Sequence, residues 1–209
     1  MEDNISSSTI NRLPFYLDYL KNIFQKGQVN ISSGAIASAL GLGEVQVRKD
    51  LASVSSGGKP KVGYEIASLI KELEHYLGYK DTDDAIIIGA GKLGMALLDY
   101  PGFIDCGLNI IRGFDKDETK FGLSENGKVI EDVSNFEEFV KNSNVKIGIL
   151  CVPKEYAQEV CDLMVNNGIK AILNFAPIHL HVPNDVIVKN ENLAYSLALL
   201  SIELKAKTK

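Results

Sequence analysis

The stretch "AIIIGAGKLGMALLDYPGF", from Ala85 to Phe103, decides the fold of the central part of the chain. It begins with an uninterrupted apolar run, which is typical of a parallel strand covered on both faces. Gly89, Gly91 and Gly94 follow in the spacing G-x-G-x-x-G, and a helical pattern continues from them. Such glycines permit a tight turn, close approach of a pyrophosphate, and close packing of the helix on the strand. The stretch therefore predicts the opening of a dinucleotide-binding domain.

A second apolar segment, "LNIIRGFD", ends at Asp115, 21 residues after Gly94. An acidic residue at this place accepts hydrogen bonds from the adenosine ribose and repels a 2′-phosphate, so it favours NAD over NADP. A later strand, "VKIGILCVP", brings Cys151, Val152 and Pro153 to the same sheet edge as walls of the ligand crevice. The expected cofactor-binding turn consists of Gly89, Ala90, Gly91, Lys92, Leu93 and Gly94.

The rest of the chain alternates between strand and helix patterns. Strands are predicted at "GKVI", "VKIGILCVP", "KAILNFAP" and "DVIVKN", with helices at "NFEEFVKNSN" and "EYAQEVCDLMVNNG". This alternation predicts one doubly wound parallel sheet of the Rossmann type, in an α/β protein. The last segment, "ENLAYSLALLSIELKAK", is a helix too apolar to remain alone in water. Its leucines imply packing on another surface, and they are Leu193, Leu197, Leu200 and Leu204.

Three helices are predicted before the glycine motif. "INRLPFYLDYLKNIF" has helical periodicity, with core positions including Phe24, provided that Pro14 lies in the first turn. "SSGAIASALGL" offers Ser32 or Ser33 as an N-cap and Gly41 as the end of a short helix. Its apolar positions are Ile36, Ala39 and Leu40. "EVQVRKDLASV" then carries a core stripe at Val47, Leu51 and Val54.

The outward face of the third helix has the chemistry of a DNA-reading surface. Arginine and lysine donate to guanine, glutamine donates to adenine, and valine contacts a thymine methyl. A helix of this kind after a tight turn is typical of a helix-turn-helix. A small helical packing or dimerisation domain is the alternative. The predicted DNA-binding side chains on this helix are Val45, Gln46, Arg48 and Lys49.

The following segment, "VSSGGKPKVGYEI", predicts a short hairpin, the wing of a winged helix, with Lys59 and Lys61 reaching phosphates. A further helix and a polar joint within residues 77–84 complete the first block. Residues 1–80 hold nine lysines or arginines and eight acidic residues, whereas the remainder holds 13 and 19. The first block is therefore the less acidic one, with a local basic surface at 41–63.

Composition indicates an ordinary globular chain, with 45% hydrophobic and 23% charged residues. No run of about 18 apolar residues occurs and the first residues are polar, so we expect no membrane segment, no signal peptide and a cytoplasmic location. The three cysteines, Cys106, Cys151 and Cys161, have no metal-type spacing and an odd count. We expect them to be reduced, buried thiols.

The order of these parts, together with "RLPFYLDYL", "QVRKDLA", "GAGKLGMALLDYPGF", "GFD" and "LNFAP", resembles the Rex family of redox-sensing transcriptional repressors. The similarity spans nearly the whole chain. It implies a winged helix-turn-helix in 1–80, a Rossmann NAD(H)-binding domain in 81–191 and a dimerisation helix in 192–209. The resemblance further implies a homodimer that exchanges its C-terminal helices, binds a palindromic double-stranded operator, and leaves it when NADH binds. It implies no catalysis and no metal.

Contacts between domains or subunits are also implied by the resemblance. The residues expected to make them are Arg12, Tyr100, Asn192, Leu193 and Leu197. Two positions depart from the family pattern. Pro60 and Lys61 stand where a basic residue followed by glycine is usual, and Asn192 stands where an acidic partner for Arg12 is expected.

Two other functions compete with this interpretation. A small NAD-dependent dehydrogenase would use His179 or His181 in "FAPIHLHVP" as acid or base, but no residues remain for a substrate domain. The same histidine pair suggests a metal site, although no nearby Cys, Asp or Glu completes it. A coenzyme-A-binding module is the other alternative, because related Rossmann folds accept that ligand. Asp115 favours NAD without excluding coenzyme A.

Overall fold

The computed structural model of the protein describes residues 5–59 and 62–208. The chain divides into two compact units, Met1–Asp81 and Thr82–Lys209. Pro60 and Lys61, and with them the predicted phosphate contact of Lys61, lie outside the described residues.

The described residues of the N-terminal unit form four helices and a small antiparallel sheet of two strands. Its helices bury one continuous apolar core, in which Tyr16, Leu51 and Leu73 are almost fully inaccessible to solvent. The elements are α1 (Ser7–Gln25), β1 (Asn30–Ile31), α2 (Ser33–Leu40), α3 (Glu44–Ala52), β2 (Tyr64–Glu65) and α4 (Ile66–Tyr76).

The turn between α2 and α3 forms as the sequence predicts. The hydroxyl of Ser32 accepts a hydrogen bond from the backbone N–H of Ala35, which caps the start of α2. Gly41 ends α2 with a φ of 67°, a left-handed conformation that glycine adopts without steric cost. This turn sets the direction in which α3 leaves α2.

The prediction that Pro14 lies in the first turn of its helix is wrong. α1 begins at Ser7, so Pro14 lies two turns inside it. The proline ring removes the N–H that would donate to the carbonyl of Ile10. Leu13 and Leu17, on either side of the proline, are buried, and their burial keeps the helix continuous.

Two predicted core positions are exposed in the structure, and two others are only partly buried. Phe24 and Ala39 are exposed, because the short α2 turns only Ile36 and its neighbour Ala37 inward and the last turn of α1 reaches the surface. Leu40 and Val54 are partly buried and pack against the edge of the core, and α3 has already ended two residues before Val54.

The second unit contains a single seven-stranded sheet in the part of the chain that the structure describes. The strand order is β5-β6-β4-β3-β7-β8-β9. Its strands are β3 (Asp83–Ile88), β4 (Leu108–Asp115), β5 (Gly122–Leu123), β6 (Val129–Asp132), β7 (Ile147–Leu150), β8 (Ala171–Asn174) and β9 (Ile187–Asn190). Its helices are α5 (Lys92–Leu98), α6 (Phe136–Lys141), α7 (Lys154–Asn166) and α8 (Leu193–Lys207).

This sheet has Rossmann topology. β3 pairs with β4 on one side and with β7 on the other, so the strand order reverses at β3. Alternate residues of β3 enter different cores: Ile86 packs with Phe114, and Ile87 packs with Leu98. The all-parallel prediction is wrong for one strand only. β5, which was not predicted, pairs antiparallel with β6 at the sheet edge.

Helix α8 has no buried residue among those described. Its leucines, its isoleucine and its tyrosine are between 44 and 67% exposed. The apolar character is spread around the helix, so burial against one neighbour would cover only part of it. No helix in residues 5–59 and 62–208 is long and apolar enough to cross a membrane.

The cysteines differ in their surroundings. Cys161 is buried in the core and Cys151 is partly buried, whereas Cys106 is exposed. All three are free thiols. The expectation of buried thiols is therefore wrong for Cys106, which ends a 3-10 turn at the surface and is separated from β4 by Gly107.

Candidate functional site

Two of the three motif glycines are required by the fold itself. Gly89 has a φ of 103°, and a Cβ there would lie 2.5 Å from the carbonyl oxygen of Cys151. A Cβ on Gly94 would lie 1.8 Å from the carbonyl oxygen of Gly89. Both distances are far below van der Waals contact, so these glycines allow β3, the turn and α5 to pack closely.

Gly91 differs from these two. Its φ of −69° and ψ of −175° suit any residue. A Cβ at Gly91 would meet no described atom within 4 Å. The open space lies directly before α5, where the backbone of such a turn approaches a pyrophosphate. The packing of the chain therefore does not require glycine at position 91, and the open space there fits a ligand.

Asp115 lies at the end of β4 and is held in place by the turn. One carboxylate oxygen, Oδ2, accepts a hydrogen bond of 2.7 Å from the backbone N–H of Ala90. The other, Oδ1, accepts one of 2.9 Å from the N–H of Asp117. An ionised carboxylate has about four lone-pair sites, so both oxygens retain capacity for ribose hydroxyls. The sequence indicated the carboxylate but not its bond to Ala90.

The wall on the other side of β3 is largely apolar. The N–H of Cys151 donates to the carbonyl of Ile88, which places the segment Cys151, Val152 and Pro153 against the end of β3. Burial raises the pKa of the Cys151 thiol to about 12, so it stays neutral at physiological pH. The N–H of Phe175 donates to the carbonyl of Leu150, so the segment after β8 begins at the same sheet edge.

The remaining predicted turn residues divide into one buried and two exposed positions. Ala90 is buried beneath the turn, whereas Lys92 and Leu93 are exposed in the first turn of α5. The lysine and leucine side chains are therefore accessible to a ligand. Their contact with a nucleotide remains a prediction.

The second candidate surface lies on α3. Val45, Gln46, Arg48 and Lys49 are all exposed, with the valine 55% accessible. Val45, Arg48 and Lys49 are accessible to base edges. The side-chain oxygen of Gln46, in the amide orientation that satisfies both groups, accepts hydrogen bonds of 3.1 and 3.3 Å from Nη1 and Nε of Arg12. The loop beyond α3 forms a turn in which Lys59 and Gly63 exchange backbone hydrogen bonds of 2.9 Å.

A buried ionic cluster, which was not predicted from the sequence, fixes α3 to α1. Asp50 is only 5% exposed. Its carboxylate accepts hydrogen bonds of 2.7 and 2.9 Å from Nε and Nη2 of Arg12. The hydroxyls of Tyr16 and Thr9 donate to it over 2.7 and 3.1 Å. The signal in the sequence is the placing of three polar groups on one face of α1 and of Asp50 beside Leu51.

The ionisation of this cluster follows from its contacts. Burial raises the pKa of Asp50, but the hydrogen bonds from Arg12, Tyr16 and Thr9 outweigh it, so the pKa is lowered. Burial, followed by the bond to Asp50, raises the pKa of Tyr16 to about 12. The hydrogen bond to Asp50 raises the pKa of Arg12. Arg12, expected to contact another domain, thus has a carboxylate partner in its own unit.

The other residues expected at domain or subunit contacts are at the surface. Asn192 caps α8, and its side-chain oxygen accepts a hydrogen bond of 2.9 Å from the N–H of Tyr195. Leu193 and Leu197 are exposed on the same helix. Tyr100 is exposed and packs edge-on against Phe103. Whether these residues contact a partner remains a prediction.

Contacts within the protein account for the positions of His179 and His181. The rings of His179 and His181 meet edge to face, with centroids 5.9 Å apart. The side chain of Gln158 bonds to both backbone polar groups of His181. Among the described residues, no group of three His, Cys, Asp or Glu side chains could hold a metal ion.

Comparisons with known proteins agree with the two-part organisation. A family described as "Putative DNA-binding protein N-terminus" matches residues 4–52, and one described as "CoA binding domain" matches residues 80–178. The "Redox-sensing transcriptional repressor Rex" of Desulforamulus reducens is 41% identical over 98% of both chains.

Two solved structures of the protein RSP resemble this chain over nearly its whole length. The crystal structure of RSP in complex with β-NAD⁺ and operator DNA has a TM-score of 0.91 and 38% identity, covering 98% of this chain and 94% of that one. The structure of RSP with β-NADH has a TM-score of 0.87 at the same identity, covering 98 and 96%.

Proposed function

The chain belongs to the Rex family of redox-sensing transcriptional repressors, and we propose that it binds operator DNA and leaves that DNA when NADH binds. It is a regulator and not an enzyme. The observation that carries the nucleotide half of the proposal is the open space at Gly91 beside the carboxylate of Asp115. We place the protein in the cytoplasm, where operator DNA and NADH are both present.

The residues around β3 fit a dinucleotide in distinct roles. Gly91 leaves room for the pyrophosphate, and Asp115 accepts the ribose hydroxyls. Cys151, Val152 and Pro153 offer a largely apolar wall with a neutral thiol. The nicotinamide ring supplies the redox signal, because it is neutral when reduced and cationic when oxidised. A cation loses hydration on entering apolar surroundings, so this wall favours NADH over NAD⁺.

Replacing Arg48 or Lys49 with alanine is expected to weaken operator binding by about 1 to 3 kcal/mol for each side chain that reads a base. Fluorescence anisotropy with operator DNA measures this loss, and NADH binding by the same variants stays unchanged. Lys71→Ala, which removes an exposed lysine from α4, is the matched control. Native operator affinity in both the Arg48 and Lys49 variants would refute the assignment of α3.

Replacing Asp115 with alanine is expected to weaken NADH binding and to reduce discrimination against NADPH. The carboxylate both accepts ribose hydroxyls and repels a 2′-phosphate. Loss of one charged hydrogen-bonding group is expected to weaken the binding free energy for NADH by about 1.5 to 3 kcal/mol. Calorimetric titration of the native protein and the variant with NADH, NADPH and coenzyme A measures the affinity for each ligand. If the native protein binds NADPH or coenzyme A as tightly as NADH, the role given to Asp115 is wrong.

A second copy of the chain is the proposed cover for the exposed leucines of α8. Exchange of α8 between subunits would bury part of this apolar surface and give a two-fold dimer suited to a palindromic operator, with half-sites roughly 34 Å apart. NADH must then favour a dimer state that binds DNA poorly, because a ligand shifts only equilibria whose states it distinguishes. Light scattering that gives a monomer mass at micromolar concentration would contradict this assembly.

A further inference from the structure

A lysine and a tyrosine meet across the crevice at the end of β3. Lys116 follows Asp115 at the end of β4, and Tyr156 lies in the first turn of α7, after β7. β4 and β7 are not neighbours, since β3 lies between them. Nevertheless, Nζ of Lys116 lies 3.7 Å from the centroid of the Tyr156 ring. The pair therefore spans the edge of the sheet from which the glycine turn begins.

This contact is exposed and weak. Tyr156 is 43% accessible, and Lys116 is also exposed. A cation over an aromatic ring at an exposed site stabilises a protein only slightly. The core does not need this contact, so a ligand that offers the tyrosine a better partner would displace the lysine.

The position of Asp115 indicates which part of a dinucleotide comes near this ring. The carboxylate that suits the adenosine ribose is adjacent in sequence to Lys116. The base is attached to that ribose, so it would lie on the side of the crevice where Lys116 follows Asp115. A purine has a π-face that stacks on an aromatic side chain, and this stacking is stronger than an exposed cation–π contact.

We propose that Tyr156 is the stacking surface for the adenine ring, and that the Lys116 ammonium group covers the same ring when no nucleotide is bound. The inference rests on the proposed nucleotide site at Gly91 and Asp115. Adenine is identical in NADH and NAD⁺, so Tyr156 sets the affinity for both. It leaves the discrimination between the two redox forms unchanged, and AMP gains from the same contact.

The test compares three variants of the full chain and one control variant with the native protein, by calorimetric titration with NADH, NAD⁺ and AMP. Tyr156→Ala is expected to weaken all three ligands by a common factor of about fivefold or more. Tyr156→Phe keeps the ring and is expected to bind like the native protein. Lys116→Met removes the competing cation and is expected to tighten all three ligands by about two- to fivefold. Tyr76→Ala removes a tyrosine of similar exposure from the other unit and serves as the control.

The outcomes of this test distinguish a failure of the stacking role from a failure of the proposed nucleotide site. If native protein binds NADH and Tyr156→Ala binds it equally well, the stacking role is overturned and the nucleotide site stands. A loss confined to NADH, with AMP unaffected, also overturns it, because the contact would then lie away from adenine. If native protein binds none of the three ligands, the nucleotide site fails and the stacking role fails with it.

Discussion

Replacing Asp50 with alanine is expected to destabilise the N-terminal unit by about 3 kcal/mol and to abolish operator binding at physiological temperature. The carboxylate is nearly inaccessible to solvent and has Arg12, Tyr16 and Thr9 as donors. Its removal leaves a guanidinium and a buried hydroxyl without their acceptor, which costs more than the pair itself contributes. The loss is a large fraction of the stability of a small domain.

Urea unfolding followed by circular dichroism measures this effect, with NADH binding as the report on the second unit. Asp50→Asn keeps the volume and one acceptor, so its loss is expected to be smaller. Asp18→Ala removes an exposed carboxylate from α1 and is the matched control, with a change within about 0.5 kcal/mol. If the midpoint of urea unfolding is the same for Asp50→Ala as for the native protein, the cluster does not stabilise α3.

The same cluster predicts a dependence on pH. The pKa of Asp50 is lower in the folded protein than its ordinary value of about 3.9 in an unfolded chain. Its contribution to stability is therefore complete above that value and is lost as the pH falls through the folded pKa. Native protein should lose stability below about pH 4 more steeply than Asp50→Asn does. Equal slopes for the two proteins would contradict this assignment.

The second large effect is expected at Gly94. Substitution by alanine would place a Cβ 1.8 Å from the carbonyl oxygen of Gly89, a backbone atom that has little freedom to move. We expect Gly94→Ala to destabilise the second unit by about 3 kcal/mol, the upper part of the range for overpacking, and to abolish NADH binding. Thermal unfolding and calorimetric titration measure the two effects.

Gly91→Ala is the matched variant, because the added Cβ meets no described atom within 4 Å. Its stability should stay within about 0.5 kcal/mol of native. NADH should nevertheless bind on the order of tenfold more weakly, since the methyl group takes space that the pyrophosphate needs. If Gly91→Ala binds NADH with native affinity, the open space at Gly91 is not the nucleotide site.

The features that the sequence predicted are those encoded by neighbouring residues. The cap at Ser32, the end of α2 at Gly41 and the exposed face of α3 each depend on contacts within one or two turns of chain. Asp115 was predicted because its position relative to the glycine turn is characteristic of the fold. Local sequence therefore contained most of the architecture and the main chemical groups of both surfaces.

The features that were missed depend on contacts distant in sequence. Asp50 meets its partners on α1 across 34 to 41 residues, and Ala90 bonds to Asp115 across 25. The two-residue strand β5 carries too little pattern to be recognised alone. Pro14 was misplaced because burial of its neighbours overrides its low helix propensity. In each case tertiary packing decided the outcome.

The measurement that tests the central claim most directly is an anisotropy titration of the native protein on a palindromic operator, with NADH and NAD⁺ compared at equal concentration. NADH is expected to weaken operator binding, and operator DNA should weaken NADH binding by the same factor. NAD⁺ should have little effect, and Gly91→Ala should respond only at higher NADH concentration. Operator affinity that is unchanged by NADH, or reduced equally by NADH and NAD⁺, would contradict the account.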